Sequence, residues 1–362
     1  MTVALTRRDY SLTGPEGERS VERGLAAAEW YHPDIPRKRL KELMRRRDGP
    51  ALRDLAIWVT LIVGSGALGG YFWGTWLAVP FFIVYGVLYG SSSDSRWHEC
   101  GHGTAFKTSW LNEVVYQVAC FMIMRNPEVW RWSHARHHTD TIIVGRDPEI
   151  IAMRPPKNWE IALNFLALPN VWNAIKQTAL HARGKLTADQ ETFIPKSEWS
   201  KVFLVARIWV AIYAAVIALA LFLQSWLPLM YVGLPTIYGG WLVMYTGLTQ
   251  HTGLAEDVLD HRLNTRTIYM NPILRFMYLN MNYHIEHHMY PMVPYYNLPE
   301  LHKEIKKDLP EPYKNTFQAY REIITALFRQ RKNPGFYYKR ELPPGAKPFR
   351  PELHEVTPAA AQ

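Results

Sequence analysis

An all-α fold embedded in a membrane is what this 362-residue sequence predicts, on three observations. Residues 55–90 contain no Lys, Arg, Asp or Glu, and residues 202–250 carry only Arg207. Each run is roughly double the ~20 residues a helix needs to cross the hydrocarbon layer, so each is expected to form a hairpin of two crossings. The short turns inside the two runs carry no Lys or Arg, whereas nearly all of the 41 basic residues lie before, between or after them. By the positive-inside rule, the N-terminal segment, the stretch 91–201 and the tail from 251 onward share the cytoplasmic face, with both termini on it. The expectation is four transmembrane helices in two hairpins with a cytoplasmic helical cap.

The first hairpin is expected at residues 55–72 and 75–89, with Gly69 and Gly70 near its turn. The second is expected at 202–223 and 228–248. Trp58, Trp73, Trp76, Trp209, Trp226 and Trp241 lie in or beside these runs, several at interface depth. Residues 37–47 (RKRLKELMRRR) hold seven basic side chains just before the first crossing. They read either as an interfacial helix drawn to anionic headgroups or as a topology signal. Three regions follow: 1–50, a cytoplasmic segment with this basic juxtamembrane helix; 51–310, the membrane domain; and 311–362, a cytoplasmic tail, Pro-rich and disordered at its end. The first residues are polar with no apolar run, so no cleavable signal peptide is expected.

Composition excludes other classes. Hydrophobic residues make up 48% of the chain, too many for a disordered protein. Cys100 and Cys120 are the only cysteines, too few for a disulfide framework or an iron–sulfur cluster. No Gly-rich dinucleotide fingerprint and no nucleic-acid motif is present.

The 14 histidines carry the chemistry, because they cluster. His98 and His102 stand at i, i+4 in HECGH. His134, His137 and His138 form HARHH, and His284, His287 and His288 form HIEHH. On a helix, residues at i, i+3 and i+4 share a face, so each box is expected to aim its imidazoles into one volume. Eight rings from three segments on one membrane face need a metal to justify their burial. His251, at the cytoplasmic end of the fourth crossing, is a ninth candidate. His261 is a weaker one, and His32, His181, His302 and His354 read as surface residues.

Carboxylates near the boxes are candidates to accept the second ring N–H of a ligand histidine. Glu99, Asp140, Glu286 and Asp257 are singled out, although Glu99 and Glu286 point off the ligand face of their boxes. Asn282 is a candidate to touch a metal-bound water. Arg136, Arg146 and Asp147 are candidates to contact a headgroup or an electron donor.

HECGH also fits H-E-x-x-H, the zinc metallopeptidase pattern with Glu99 as base. Eight or nine histidines exceed what one tetrahedral zinc takes and suit two metals with four or five ligands each. A metal transporter is a second rival, but it is expected to carry ionisable groups within its crossings, and these have almost none. Two irons with open positions are suited to O2 activation at an unactivated C–H bond.

The order H-x-x-x-H, H-x-x-H-H, H-x-x-H-H around two hydrophobic hairpins resembles the integral-membrane fatty acid desaturase and hydroxylase superfamily. The resemblance covers roughly residues 50–310, with His251 matching the extra histidine before the third box. The runs HECGHGTAFK, DHRLNTRT and NMNYHIEHHMYPMVPYYNLPELH also resemble a bacterial branch that includes the rhizopine-catabolism oxygenase. The resemblance implies a non-haem di-iron centre, two Fe ions held by the nine histidines, O2 as oxidant and two electrons per turnover. It implies a bacterial inner-membrane enzyme that desaturates or hydroxylates a fatty acyl or lipid substrate. An oxygenase or demethylase of a small polar metabolite is the alternative. The chain has no electron-carrying domain of its own, so a separate ferredoxin, the Rieske type included, and its reductase are the expected donors. The formal charge of +9 would steer an acidic carrier.

Overall fold

The computed structural model describes residues 8–354. Among these the chain is all-α: no strand forms, and only the isolated bridges Thr267–Tyr283 and Ile268–Tyr313 break the pattern. The end of the tail, for which disorder is expected, lies outside the described residues. Its nearer part is held: the Phe349 N–H donates to Asp260 (3.1 Å) and the Lys347 carbonyl accepts from Arg262 (3.0 Å).

Two helices are long and apolar enough to cross a membrane by length and composition. The first is Asp48–Tyr71 and the second Trp199–Phe222, each of 24 residues. At 1.5 Å per residue each spans about 36 Å. Their outward faces keep Leu52, Val59, Val63, Leu204, Ile208 and Leu219 exposed.

The partners of these two helices are built differently from the sequence expectation. The helix Ala78–Val87 does not stop near residue 89. It passes through a π-helical turn, Leu88–Ser92, and continues as Ser93–Gly101, which carries His98. A π-turn leaves backbone groups without their usual partners. Trp58 of the first long helix supplies one, its indole N–H donating to the Leu88 carbonyl at 3.1 Å. The first histidine box therefore rides on the same rod as the second apolar segment.

The single crossing expected at 228–248 is instead three short helices: Leu227–Tyr231, Pro235–Tyr238 and Trp241–His251. Pro228 and Pro235 lack the N–H that would continue a helix, and Gly233 sits at φ +96°, outside the helical region. The break lets two backbones touch. A Cβ on Gly239 would lie 1.8 Å from the Gly86 carbonyl oxygen, so only glycine fits there. The Thr236 hydroxyl donates to the Met122 carbonyl (2.8 Å), docking the broken segment on the end of the helix Ser109–Met122.

The second box lies on Pro127–Thr139. Asn126 caps this helix by accepting from the Glu128 N–H (3.2 Å) and Pro127 fills its first position, which fixes where it starts. The third box occupies the short helix His284–Met289, which follows the Thr267–Tyr283 bridge. The helix Thr316–Lys332 packs on Trp241–His251, with Tyr320 and Tyr245 stacked at 4.8 Å.

The Gly239 contact is testable. Gly239→Ala is expected to cost about 3 kcal/mol or more, from overpacking against backbone that cannot yield. Gly64→Ala, where nothing lies within 4 Å, is expected to be neutral or slightly stabilising. Thermal unfolding of both variants in detergent decides, and equal melting temperatures would contradict the close approach.

Candidate metal centre

The nine histidines singled out in the sequence come together from four segments and form two groups. His98, His102, His134, His138 and His287 make one, and His137, His251, His284 and His288 the other. Within each group the potential ligand nitrogens lie within 4.8 Å of one another. Six of the nine rings are buried and three half-buried.

Each H-x-x-H-H box divides between the groups, so its three rings do not share one volume. Neighbouring residues on a helix point about 100° apart. His137 and His138 therefore diverge, as do His287 and His288. In the second box the i, i+4 pair His134 and His138 serves the group of five while His137 crosses to the group of four. In the third box the roles reverse: His284 and His288 serve the group of four and His287 crosses over.

The nitrogens meet at close range. His98 Nε2 is 2.7 Å from His287 Nε2, His102 Nε2 is 3.1 Å from His134 Nε2, and His138 Nε2 is 3.2 Å from both His134 Nε2 and His287 Nε2. In the other group His284 and His288 approach at 3.2 Å. Nitrogens bound at right angles to one ion, at ~2.0–2.1 Å each, would be about 3 Å apart. The donor set thus fits metal ions, and five donors in one group exceed a tetrahedral site.

Outer contacts fix which nitrogen faces inward. His137 Nδ1 lies 2.8 Å from Asp147 and His134 Nδ1 3.1 Å from Glu149, which also accepts from the Ser133 hydroxyl at 2.9 Å. Asp147 is itself held by the Ile142 N–H (2.7 Å) and the Glu149 N–H (2.8 Å). His251 Nδ1 donates to the Asn264 carbonyl (2.9 Å), which leaves its buried Nε2 without a protein partner. Thr141 stands 3.3 Å from His288 Nδ1 and donates to the His137 carbonyl at 2.7 Å.

Electrostatics keep most rings neutral, the form that binds a metal. Burial first, and neighbouring imidazoles second, hold His98, His134, His138, His284, His287, His288 and His251 well below the ordinary histidine range. Burial brings His102 down to about 4. His137 moves the other way: burial opposes its charge, but the Asp147 carboxylate outweighs it. Burial pushes the Glu149 carboxyl up to about 7 against the pull of His137.

The sequence-selected carboxylates take other roles. Glu99 accepts from the Thr104 hydroxyl (2.7 Å) and the Tyr295 N–H (3.0 Å), tying the first box to the loop after the third. Glu286 bonds to Thr267 (2.5 Å) and lies against His302. Asp140 pairs with Arg136 and Arg146, and Asp257 with Arg8 and Arg23. Asn282 donates to the Ile268 carbonyl (2.8 Å), and its buried Oδ1 has no protein partner. The acids on ring nitrogens of the clustered histidines are Asp147, considered above only for outside contacts, and Glu149, which sequence reasoning missed.

Two histidines read as surface residues are buried. His302 is 5% exposed against Glu286 and Tyr269, and His181 is 2% exposed and bonded to Gln190. His261 is also buried. It stacks on Trp30 at 4.2 Å and stands 5.0 Å from His288, outside both groups.

Comparison with known proteins points the same way. Residues 74–320 match the fatty acid desaturase family. A chloroplast temperature-sensitive sn-2 acyl-lipid omega-3 desaturase (ferredoxin) of Arabidopsis thaliana is 25% identical over 316 residues, covering 79% of this chain and 69% of that protein. A second chloroplast sn-2 acyl-lipid omega-3 desaturase (ferredoxin) of the same plant is 23% identical, covering 73% and 62%. An sn-1 acyl-lipid omega-3 desaturase (ferredoxin) of Synechocystis is 25% identical, covering 78% and 83%.

Acidification is expected to destabilise the metal-free protein. In the unfolded chain a histidine takes up its proton near pH 6.5. In the folded cluster eight rings do so only lower, His102 at about 4. The unfolded state therefore binds more protons between these limits, and stability falls as pH falls. Glu99 and Glu149, each pushed up to about 7, and His137, raised beside Asp147, act in the opposite sense, but within the site they are three against eight. The melting temperature of chelator-treated protein should drop from about pH 7 to about pH 5; a rise would contradict a neutral cluster.

Proposed function

The chain belongs to the fatty acid desaturase family, and from that premise we propose an O2-dependent di-iron enzyme that desaturates a fatty acyl chain carried on a membrane lipid. One iron is held by His98, His102, His134, His138 and His287, the other by His137, His251, His284 and His288. The observation that carries the reading is this pair of histidine groups, five and four, built from adjoining residues of the same helices. When bound, the irons supply the oxidising power, drawn from O2 and two electrons, that removes hydrogen from an unactivated methylene.

The rest is the work of the protein. Asp147 and Glu149 orient His137 and His134 and favour the tautomer with Nε2 facing inward. The Asn264 carbonyl does the same for His251. Burial keeps bulk water from the rings, which suits a strongly oxidising reaction. Both long apolar helices, the apolar part of the π-turned rod up to residue 89 and the broken segment up to residue 248 serve as four crossings in a bacterial inner membrane. The boxes, the basic segments and both termini then lie on the cytoplasmic side. Three relatives bear names that specify ferredoxin and acyl-lipid, which supports a ferredoxin with its reductase as donor and a lipid-linked acyl chain as substrate.

The purified protein is expected to bind two irons and, with ferredoxin, reductase and O2, to convert acyl lipids into products two hydrogens lighter by mass spectrometry. Products heavier by one oxygen would replace desaturation by hydroxylation, and a single zinc with no O2 uptake would overturn the reading. His137→Ala and His287→Ala each remove a donor from a different group. Both should abolish turnover and lower bound iron; retained iron and turnover in either would contradict the ligand sets. Asp147→Asn and Glu149→Gln leave every donor in place, so a loss of about 10–100-fold in metal affinity with an intact fold is expected. Metal titration checks it.

A further inference from the structure

The basic run at residues 37–47 has a structure that the metal chemistry does not use. Its first part forms the helix Arg37–Leu43, where Arg39 is paired with Glu42 and Glu304. Its second part is different. Met44, Arg45, Arg46, Arg47 and Lys107 line an open groove of about 560 Å³, and no acidic residue is among them. Arg45, Arg46, Arg47 and Lys107 are all exposed. Arg45 and Arg46 have no ion-pair partner among the described residues.

The groove is pinned in place. Asp48 accepts from both the N–H and the hydroxyl of Thr108 at 2.9 Å, which brings Lys107 beside the arginines. The Arg47 N–H donates to the Tyr296 hydroxyl (2.6 Å), the Arg47 guanidinium donates to Asn297 (3.2 Å), and the Asn297 amide donates to the Leu43 carbonyl (2.7 Å). These bonds fix the groove to the loop after the third histidine box.

Its position selects its ligand. Asp48 opens the first long apolar helix, so the cations stand where that helix would enter the bilayer. Leu52, 43% exposed, lies one turn inside, and Trp110, 62% exposed, follows Lys107 by three residues. Four fixed cations that outnumber the one carboxylate acting on them, Asp48 beside Lys107, stand next to uncovered apolar side chains at a membrane boundary, and this suits a molecule with an anionic head and an alkyl body.

We infer that this groove is a binding site for the phosphate headgroup of an anionic phospholipid of the bilayer, with Arg45, Arg46 and Lys107 as its charge contacts and Arg47 as its anchor to the cap. The site needs no metal, so its test is separate from that of the proposed function.

The test is native mass spectrometry of the full-length protein in detergent, titrated with phosphatidylglycerol or phosphatidylcholine. A cation at a membrane surface contributes about five-fold in affinity, so removal of three should cost of the order of a hundred-fold. The triple variant Arg45→Gln, Arg46→Gln, Lys107→Gln is expected to lose that much for phosphatidylglycerol and little for phosphatidylcholine. The charge-keeping variant Arg45→Lys, Arg46→Lys, Lys107→Arg should retain the preference. Added salt should weaken phosphatidylglycerol binding to the unaltered protein, a measurement that decides even if the triple Gln variant does not fold. Unchanged affinity in a folded triple Gln variant, salt-insensitive binding, or equal binding of the two lipids would overturn the site. Displacement of phosphatidylglycerol by equimolar inorganic phosphate would overturn the lipid as its ligand.

Discussion

Nine imidazoles whose ring nitrogens face one another in two groups set the main constraint on this structure. At least eight of the rings are neutral in the folded metal-free state. Neutral rings at 2.7–3.2 Å can share few protons, and each unshared nitrogen lacks a protein donor. In a low-dielectric interior such an arrangement is costly until a cation satisfies it. The surrounding bonds make that cost tolerable. Asp147, Glu149, Thr141 and the Asn264 carbonyl occupy outer nitrogens, so several rings are already aimed before a metal arrives.

The scaffold follows from the need to hold rings from distant segments to within a fraction of an ångström. The first box is positioned because it continues the apolar helix Ala78–Val87 through a π-turn, with the Trp58 indole donating to the Leu88 carbonyl within the turn. The second is fixed by its Asn126 cap. His251 depends on the broken segment. An unbroken helix over 228–251 could not bring Gly239 against Gly86, nor place Thr236 on the Met122 carbonyl. The prolines and glycines that interrupt this apolar stretch are therefore part of how the last histidine reaches the others.

Much of this was legible in the sequence. The all-α class follows from uncharged runs and helical spacing, and every histidine in the two groups stands out by its position in a box or at a segment end. The outer partners were less legible, for a physical reason. Glu149 reaches His134 and Asp147 reaches His137 only because the chain turns back after the second box, a tertiary fold that no helical spacing encodes. Glu99 and Glu286, inside the boxes, looked like partners because they are near in sequence. Helix geometry turns them away, to Thr104 and Tyr295 in one case and to Thr267 and His302 in the other. His302 looked like a surface residue because the chain reveals nothing of the acid it is buried against. The break at 228–240 is visible as Pro and Gly, but apolar length alone reads residues 228–248 as one unbroken crossing.

The spacing of the boxes itself argues for two ions. Residues four apart on a helix lie on one face, and the residue between them at i+3 lies next to the last but turned by about 100°. An H-x-x-H-H box can therefore give two rings to one centre and must send the third to a neighbour. Two such boxes arranged with opposite preference supply three donors to each centre. His98 and His102, an i, i+4 pair, then raise one centre to five, and His251 alone raises the other to four. A site for one ion would have no use for adjacent histidines pointing apart. The doubled histidine in each box is thus the sequence form of a paired centre, and it forces the two sites to share helices and stand side by side.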